Sequence, residues 1–373
     1  MSDPLRGWKE TTVGEVLSLE YGKPLPKEDR VENGKHPAFG ANGVKCRTDR
    51  FHCDEPSIIV GRKGSAGELT LTPDKFWPLD VTFYADFDRT QHDLMFLYHL
   101  LSRLELPSLA TGVKPGINRN RVYEIPVRIP PLSEQRRIVS VLDAAFAGLA
   151  TAEANTRQNL TNARELFAKQ LEKILKKRSN GWVSKTIGDL VKIRSGDFLP
   201  RKQMDESGKI PVYGGNGQTG FHTEANLHGE NIIIGRVGAQ CGNVHYVEGS
   251  LWLTDNAFYV RDFHFDLDTR FVAKLLRAVH LRQYARQTAQ PVISFSSIKS
   301  VILNFPESRS EQSKISAMAE ELEEAEARLG SIANRKLAAL AALKQSLLHR
   351  AFRGELSGGV PEASAALTES VAS

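Results

Sequence analysis

The chain contains two copies of one long segment, each nearly half of its 373 residues. Three motifs recur at an offset of 174 residues: Gly-Lys-Pro-Leu-Pro at 22–26 and Gly-Asp-Phe-Leu-Pro at 196–200, Phe-Gly-Ala-Asn-Gly at 39–43 and Tyr-Gly-Gly-Asn-Gly at 213–217, and Ile-Ile-Val-Gly-Arg-Lys-Gly at 58–64 and Ile-Ile-Ile-Gly-Arg-Val-Gly at 232–238. The offset rises to 175 at Trp77, 176 at Pro130 and 177 at Glu134, which indicates small insertions in loops. Solenoid repeats are far shorter, roughly 20–50 residues. The repeated segment is therefore a whole domain with its connector, and two similar domains are expected to recognise two similar targets.

The composition is that of a soluble globular protein, with 41% hydrophobic and 25% charged residues. No apolar run approaches the ~18–20 residues that span a bilayer, and the N-terminus does not resemble a signal peptide. These features predict a cytoplasmic protein without a membrane partner. The three cysteines lack metal-site spacing, which predicts ordinary thiols. A net charge of +5 and a pI near 9.0 suit a polyanionic partner, although many proteins of this charge never bind nucleic acid.

Each copy reads as an α+β domain. Residues 8–130 and 182–306 contain short β-branched runs punctuated by Gly, Pro and Asn, which are typical of strands and turns. One helix is predicted in each copy. The first lies near residues 93–104, where leucines recur on one face, and the second lies near residues 270–285, where the second copy repeats the plan. The pattern predicts a twisted mixed sheet as the framework of each copy.

A long helix is predicted after each copy. Ser133 is a candidate N-cap for the first, and apolar residues then recur at intervals of three and four, as in a coiled-coil seam. Each helix has roughly 45 residues and a length of ~65 Å, too long for one small domain to cover. We therefore expect the two helices to pair as an antiparallel coiled coil, although each could instead pack on its own domain. The stripes are Ile138, Leu142, Ala145, Leu149 and Ala152, then Leu160, Phe167, Leu171 and Ile174, in the first helix, and Ile315, Met318, Leu322, Ala325, Leu329 and Ile332, then Leu340, Leu343 and Leu347, in the second.

These residues resemble the specificity subunits of type I restriction-modification systems. The shared features are the Gly-Trp-x-x-x-Thr-x-Gly openings at 7–16 and 181–190, the Tyr-Gly-Gly-Asn-Gly turn, the Gly-Arg-x-Gly turns, the Pro-Pro-Leu-Ser-Glu-Gln helix entry at 130–135 and the segment 343–356. Their order and duplication carry the resemblance, which covers nearly the whole chain. The second helix entry lacks the double proline, and the first turn has Phe-Gly-Ala in place of Tyr-Gly-Gly. These departures affect boundary details.

The resemblance implies two target recognition domains, at 1–130 and 181–306, each reading one half of a bipartite, asymmetric site in double-stranded DNA. It implies spacer helices at 131–180 and 307–357, which set the half-site spacing and dock the modification subunits, and a flexible tail at 358–373. The chain itself is expected to be non-catalytic and to bind no cofactor. The resemblance assigns S-adenosylmethionine to the modification (methyltransferase) subunits, and ATP with Mg²⁺ to the restriction subunits, which act as an ATP-dependent motor nuclease.

Two loops carry side chains suited to DNA. Arg and Lys suit guanine, Asn and Gln suit adenine, and phosphates take Arg, Lys, Ser and backbone N–H groups. The first loop follows the strands near residues 58 and 232 and is flanked by glycines that permit close approach. Its candidate DNA-binding residues are Arg62, Lys63 and Ser65 in the first copy and Arg236 and Gln240 in the second.

An alternative assigns the two arginines a structural role. Arg62 and Arg236 recur together with Asp80 and Asp255, so each arginine could pair with a carboxylate in a tight turn. The positions that differ between the copies are better candidates for base discrimination, because domains that read different half-sites must differ somewhere. These positions are Lys63 against Val237 and Ser65 against Gln240.

The second loop lies before the closing strand of each copy, at 111–121 and 288–297. Its polar side chains around a Gly/Pro turn predict a groove-facing loop, and the alternative is a solvated connection. Two further cations, Lys23 and Arg201, are candidates for phosphate contacts. The turns at Asn42 and Asn216 are predicted to be structural, since Asn-Gly favours tight turns. The second-loop candidates are Lys114, Asn118, Arg119, Asn120 and Arg121 in the first copy and Gln290, Ser294, Ser296 and Ser297 in the second.

Two other classes of function were weighed. A coiled-coil scaffold with protein-binding heads accounts for the duplication and the helices, but not for the basic, glycine-rich loops. A self-sufficient methyltransferase or nuclease is disfavoured, because none of the Gly-Lys pairs continues as a P-loop, no Asn/Asp-Pro-Pro-Tyr/Phe tetrapeptide occurs, and the histidines lack metal-like spacing. The sequence therefore favours DNA recognition without catalysis.

Overall fold

The computed structural model describes residues 7–176, 181–205, 207–286 and 290–356. The predicted tail at 358–373 lies outside the described residues. By its contacts the chain divides into two compact units, residues 1–156 with 335–373 and residues 157–334. We call these the first unit and the second unit. The boundary falls within both long helices, so the domain limits predicted from the repeat remain a prediction.

From residue 7 onward, where the structure describes it, the first copy contains nine short strands and three helices. In chain order they are β1 (Lys9–Thr12), α1 (Val13–Val16), β2 (Ser18–Tyr21), β3 (His36–Gly40), β4 (Gly43–Thr48), β5 (Ile58–Gly61), β6 (Leu69–Leu71), β7 (Trp77–Pro78), β8 (Thr82–Asp86), α2 (Leu94–Arg103), α3 (Arg119–Tyr123) and β9 (Pro126–Ile129), with 3-10 turns at Lys27–Asp29 and Leu106–Leu109. The first long helix is α4 (Leu132–Lys176).

The second copy repeats this order of elements. They are β10 (Trp182–Thr186), α5 (Ile187–Leu190), β11 (Val191–Ser195), β12 (Ile210–Gly214), β13 (Gly217–His222), β14 (Glu230–Gly235), β15 (Val244–Glu248), β16 (Trp252–Leu253), β17 (Ala257–Phe263), α6 (Thr269–Ala278), α7 (Phe295–Ile298) and β18 (Ile302–Pro306), with 3-10 turns at Arg201–Gln203 and Leu281–Tyr284. The second long helix is α8 (Arg309–Ala351).

The two copies share one sheet topology. In the first copy the sheet orders are β2-β8-β5-β6, β4-β3-β7 and β1-β9, and the second copy has β11-β17-β14-β15, β13-β12-β16 and β10-β18. The four-stranded sheets are entirely antiparallel. Among the strands of the described residues, parallel pairing occurs only where β3 meets β7 and β12 meets β16. The α+β fold class and the duplication are confirmed. The expectation of one mixed sheet is wrong, because the strands of each copy form three separate small sheets. The parallel pair in each copy is only two residue pairs long.

The largest apolar core of each unit lies between its four-stranded sheet and the domain helix, and smaller apolar clusters lie elsewhere in each unit. In the first, β2, β5 and β8 pack against α2, with Phe83, Phe96 and Leu97 among the residues withdrawn from solvent. In the second, β14 and β17 pack against α6, around Phe271. Asp93 caps α2 by accepting a hydrogen bond from the backbone N–H of Phe96, as the predicted helix requires.

Both long helices occur as predicted, with 45 residues in α4 and 43 in α8. The predicted N-cap is wrong by position, because α4 begins at Leu132 and Ser133 lies inside its first turn. The carbonyl of Pro131 already accepts hydrogen bonds from the backbone N–H groups of Glu134 and Gln135. The helix therefore starts directly after the proline.

Segments of both long helices belong to each core. In the first unit, Ile138 and Leu142 of α4 share the core with Leu348 of α8, and the Lys344 ammonium lies 5.1 Å from the centre of the Phe146 ring. In the second unit, Leu175 of α4 shares the core with the early part of α8. The start of α4 thus packs with the end of α8 in one unit, and the end of α4 with the start of α8 in the other.

By length and composition alone, α4 could cross a membrane. Its apolar positions Ile138, Leu142 and Leu175 lie instead within the cores of the units, and Asp143 and Glu153 interrupt the stretch. One such helix is weak evidence for a membrane span.

A buried basic side chain on the domain helix faces a carboxylate on the long helix in both units. His99 of α2 lies 3.7 Å from Asp143, measured from Nε2 to Oδ1. The equivalent Lys274 of α6 lies 2.7 Å from Glu323 and 4.0 Å from Glu320. Because burial penalises the charged imidazole, the pKa of His99 lies below its ordinary value, although Asp143 opposes the shift.

Acidification is expected to destabilise the first unit through His99. The unfolded chain binds a proton on this histidine below about pH 6.5 and the folded chain resists it, so stability is complete above that pH and is lost on acidification through the lowered pKa, by at most about 1.4 kcal/mol per pH unit. Thermal unfolding of the wild type and of His99→Gln between pH 7.5 and 5 measures this contribution. Identical pH dependence in the two proteins would exclude it.

Candidate functional site

In the first unit, the two loops predicted to bind DNA are joined by backbone hydrogen bonds. The N–H of Gly64 donates to the carbonyl of Pro115 at 2.9 Å, and the N–H of Ile117 donates to the carbonyl of Arg62 at 3.1 Å. Thr111 and Gly116 exchange two hydrogen bonds of 3.0 Å, which close the tip of the second loop. Residues 61–65 and 111–117 thus form one surface, which we call the first loop pair.

The second unit contains the same arrangement. The N–H of Gly238 donates to the carbonyl of Pro291 at 3.0 Å, and the N–H of Ile293 donates to the carbonyl of Arg236 at 2.8 Å. We call residues 235–240 and 290–293 the second loop pair. Thr288 and Ala289, which the sequence placed in this loop, lie outside the described residues.

Glycine at the end of β5 and β14 permits this tight packing. A Cβ atom on Gly61 would lie 2.0 Å from the carbonyl oxygen of Ser65 and 3.0 Å from that of Ala41. On Gly235 it would lie 2.4 Å from the carbonyl oxygen of Gly215. The Asn-Gly turns that join β3 to β4 and β12 to β13, at Asn42 and Asn216, therefore lie directly beside the loop pairs.

Neither recurring arginine forms the ion pair that was the alternative interpretation. Within the described ranges no carboxylate lies within salt-bridge distance of Arg62 or Arg236. Arg62 lies over the ring of Tyr21, at 5.1 Å from guanidinium carbon to centroid, and Arg236 lies 5.5 Å from Phe258. Arg236 donates a long hydrogen bond of 3.4 Å to the backbone carbonyl of Asp255, not to its carboxylate.

The positions that differ between the copies lie in the loop pairs, where the sequence predicts them. Lys63 and Gln240 are exposed and Ser65 is half-buried. Gln240 accepts a hydrogen bond of 2.7 Å from the side-chain amide of Asn243. The first single-residue insertion falls within this loop. The N–H of Gly67 donates to the carbonyl of Gly61, and the N–H of Gly242 donates to that of Gly235, so the loop of the second copy is one residue longer.

The second predicted loop is partly helical. Residues from Arg119 onward form α3, whose N-cap Asn118 accepts a hydrogen bond of 3.0 Å from the N–H of Asn120. The polar run predicts a loop because it masks the capping signal of Asn118, although Asn is among the best N-caps. Lys114, Asn120 and Arg121 are exposed, whereas Arg119 is half-buried.

In the second copy the equivalent residues form α7. The hydroxyl of Ser297 donates to the carbonyl of Ser294 at 2.8 Å, and the hydroxyls of Ser294 and Ser296 lie 2.8 Å apart. These three serines therefore hold the start of the helix. The prediction that they bind DNA stays untested.

A cleft in the second unit brings together several candidate residues. It has a volume of about 570 Å³, and Arg201, Asn216, Gly238 and Gln290 lie along it. Arg201 and Asn216 are exposed, so the turn predicted to be purely structural also presents its amide to solvent. In the first unit Lys23 is exposed, and its carbonyl accepts a hydrogen bond from the Trp77 indole.

Two titratable groups of the first copy have pKa values shifted by burial. Burial raises the pKa of the Cys53 thiol to about 11, so this thiol stays protonated and unreactive. Burial, and then the Lys23 charge, lower the pKa of His52. Among the described residues, no group of three or more His, Cys, Asp or Glu could hold a metal ion.

Sequence reasoning missed Tyr21, the last residue of β2. Its ring is 47% exposed and both Arg62 and Arg119 lie against it. The sequence did contain a signal: Tyr21 directly precedes the recurring glycine Gly22, and the second copy has Ser195 at the equivalent position, so this position differs between the copies.

The sequences of both copies match a known protein family. Residues 6–162 and 179–331 each match the family described as "Type I restriction modification DNA specificity domain". The chain belongs to this family. The family predicted from the motifs is confirmed, and with it the role of a DNA sequence-specificity subunit; the protein-binding scaffold is not favoured.

Named specificity subunits resemble the chain over different lengths. It is 29% identical over 283 residues to a putative type I specificity subunit of Mycoplasma genitalium, which covers 69% of this chain and 73% of that protein. A Mycoplasma pneumoniae relative is 27% identical over 64% of this chain and 68% of its own length. The EcoprrI specificity subunit of Escherichia coli is 34% identical, but the match spans 33% of this chain and only 31% of that protein.

Solved structures support the family fold. A chain from a structure of a type I restriction-modification system has a TM-score of 0.76 at 17% identity and covers 94% of this chain and 98% of its own. The HsdS subunit of Thermoanaerobacter tengcongensis has a TM-score of 0.59 at 18% identity, with 94% and 97% covered. At these identities the likeness concerns the fold alone.

Proposed function

We propose that each loop pair reads one half of a bipartite, asymmetric site in double-stranded DNA. The observation that carries the proposal is the recurrence of one hydrogen-bonded loop framework with different side chains. The first loop pair presents Lys63 and Lys114, whereas the second presents Gln240 and Gln290. A rigid scaffold with variable polar tips suits base-edge recognition, since base contacts specify and backbone contacts position.

The long helices are proposed to pair as an antiparallel coiled coil that sets the distance between the half-sites. Their lengths of 45 and 43 residues correspond to about 65 Å each. The contacts of both helices within each core support antiparallel order, and in the second unit Arg164 of α4 lies 3.7 Å from Glu326 of α8. Modification subunits are proposed to dock on these helices.

The chain is proposed to act without chemistry of its own in the cytoplasm. S-adenosylmethionine would be bound by the modification subunits, and ATP with Mg²⁺ by the restriction subunits. The domain limits predicted from the repeat belong to the same proposal. A self-sufficient methyltransferase or nuclease would instead bind S-adenosylmethionine or cleave DNA as the purified chain.

Long-read methylation sequencing of host DNA, with and without the gene for this chain, tests the proposal. Loss of one gapped, asymmetric methylated motif is the expected result. Complementation with Lys114→Ala, in the first loop pair, and with Gln240→Ala, in the second, should relax or abolish recognition in different halves of that motif. A continuous motif, or two variants that disturb the same half, would contradict the assignment of one half-site to each unit.

Salt dependence separates DNA binding from the scaffold alternative. Neutralising phosphates releases counterions, so the affinity for duplex DNA should fall steeply between 50 and 200 mM salt, by about 10³-fold or more if six or more phosphates are contacted. A filter-binding titration of the full complex at several salt concentrations measures this slope. A slope near zero would indicate that DNA is not the ligand.

A further inference from the structure

Two arginines lie against one exposed tyrosine ring in the first unit. The guanidinium carbon of Arg119 is 4.7 Å from the centroid of the Tyr21 ring, and that of Arg62 is 5.1 Å from it. Phe83 supports the ring from the core, with 5.0 Å between centroids. Close contact of a guanidinium with an aromatic ring restrains the arginine and leaves its N–H groups directed outward in one plane.

Arg119 is also tied to the backbone. One of its terminal nitrogens donates to the carbonyl of Leu19 at 3.0 Å, and the hydroxyl of Tyr123, on the same short helix, accepts from the N–H of Leu19 at 2.7 Å. Leu19 is fully buried, so this anchor is fixed by the core. A guanidinium has five N–H donors, and this bond uses one of them.

The charge of this pair is not neutralised within the protein. In the described part of the chain, neither Arg62 nor Arg119 has a carboxylate within ion-pair distance, and the buried Nε of Arg62 has no hydrogen-bond partner. Two like charges held on one ring are unfavourable unless a ligand supplies acceptors. The arrangement therefore suits a ligand rich in hydrogen-bond acceptors.

The duplication separates two kinds of contact. Arg62 recurs as Arg236, whereas Tyr21 is replaced by Ser195, the last residue of β11, and Arg119 by Phe295, the first residue of α7. A contact with phosphate carries no sequence information and can serve both half-sites, but a contact with a base must differ between them. Arg62 and Arg236 fit the first kind, and the Tyr21 and Arg119 pair fits the second.

We propose that Arg119, held against the ring of Tyr21, reads the O6 and N7 acceptors of a guanine in the first half-site. Arg119 is the specificity-determining residue and Tyr21 is the positioning residue. The inference rests on the proposed function of the loop pairs and adds the base that one of them selects. The second unit has Ser195 and Phe295 at the equivalent positions, so it has no equivalent contact with a guanine there.

Replacement of guanine by 7-deazaguanine tests the contact, because it removes the N7 acceptor and preserves base pairing. The half that Lys114→Ala disturbs identifies the first half-site, independently of Arg119. With the full complex, 7-deazaguanine at one position of this half should weaken binding about 5- to 150-fold. Arg119→Ala should bind the unmodified site weakly and lose the difference between guanine and 7-deazaguanine.

Two tyrosine variants and one matched arginine control complete the test. Tyr21→Ala should lose most of the discrimination, and Tyr21→Phe should retain it because the ring remains. Arg89 also lies on a ring, at 4.7 Å from Phe87, but it is paired with Glu55, so Arg89→Ala should keep wild-type discrimination. Circular dichroism and thermal unfolding check that each variant is folded.

The outcomes separate this inference from the proposed function. A first half-site without guanine, or equal loss with 7-deazaguanine in wild type and Arg119→Ala, overturns the reading by Arg119 and leaves the proposed function standing. Sensitivity to methylphosphonate at a phosphate, without sensitivity to 7-deazaguanine, would assign Arg119 to the DNA backbone and also overturn it. Absence of any sequence-specific binding would overturn the proposed function itself.

Discussion

Gly61→Ala is expected to destabilise the first unit by about 3 kcal/mol or more. The added Cβ would lie 2.0 Å from the carbonyl oxygen of Ser65. That carbonyl cannot retreat easily, since Gly61 donates to the carbonyl of Glu68 and accepts from the N–H of Gly67 in the same turn. The backbone φ of Gly61 is ordinary for any residue, so the effect is one of space and not of conformation.

The loss of stability should be accompanied by loss of DNA recognition. Gly61 begins the first loop pair, so a shift of its backbone displaces the loop that carries Lys63. Thermal unfolding should give a midpoint lower by about 6–12 °C for the transition of this unit. Methylation in cells complemented with the variant should lose the motif even at temperatures where the protein remains folded.

Gly148→Ala is the matched control for Gly61→Ala. Gly148 is exposed in the middle of α4, and nothing lies within 4 Å of the position of its added Cβ. Alanine in a helix interior is more stable than glycine by about 0.5–1 kcal/mol, so this variant should raise the unfolding midpoint. The same shift for both variants would show that the close packing at Gly61 does not limit stability.

Gln135→Leu is expected to cost about 3 kcal/mol, because it removes a fully buried amide that satisfies three backbone groups. Its oxygen accepts from the N–H of Asp93 at 2.9 Å, and its nitrogen donates to the carbonyls of Gln91 at 3.0 Å and Pro130 at 2.9 Å. Leucine would leave these groups without partners inside the protein. Urea unfolding followed by near-ultraviolet circular dichroism measures the loss.

The adjacent glutamate provides the control for this prediction. Glu134 pairs with Arg137 in a half-buried position at the surface, so Glu134→Ala should change the free energy of unfolding by about 1 kcal/mol or less. In the second unit Gln312 repeats the role of Gln135, with 2.9 Å bonds to Asp268 and Pro306. Gln312→Leu should therefore destabilise that unit by a similar amount, and the effects of the two variants should add. Equal effects of Glu134→Ala and Gln135→Leu would disprove the role of the buried amide.

The Glu-Gln motif shows how a residue pattern can identify a family without revealing its physical role. The motif helped to identify the family, yet the sequence did not indicate that the glutamine bonds to the N-cap of α2. Its partners Gln91 and Asp93 lie more than 40 residues away in the chain. Only the packed structure relates them.

The sequence predicted the positions of the candidate loops correctly, but not the short helices within them. Strand, turn and glycine signals located residues 61–65 and 235–240 correctly, because such signals are local in the chain. The helices α3 and α7 were missed, since each is five residues or fewer and begins in a polar run. The ion pair that was the alternative for Arg62 is absent from the described part of the chain, and the guanidinium lies over the Tyr21 ring instead.

The sequence by itself determined the duplication, the α+β class, the two long helices and the family. These features follow from the order, spacing and periodicity of residue types, which are properties of the chain. Tertiary structure alone decided that the two loops of each unit share hydrogen bonds and that Arg119 meets Leu19, 100 residues away, beside the Tyr21 ring. These contacts join residues far apart in the chain, and many of them use backbone groups that nearly every residue carries, so no pattern of residue types in the sequence reveals them.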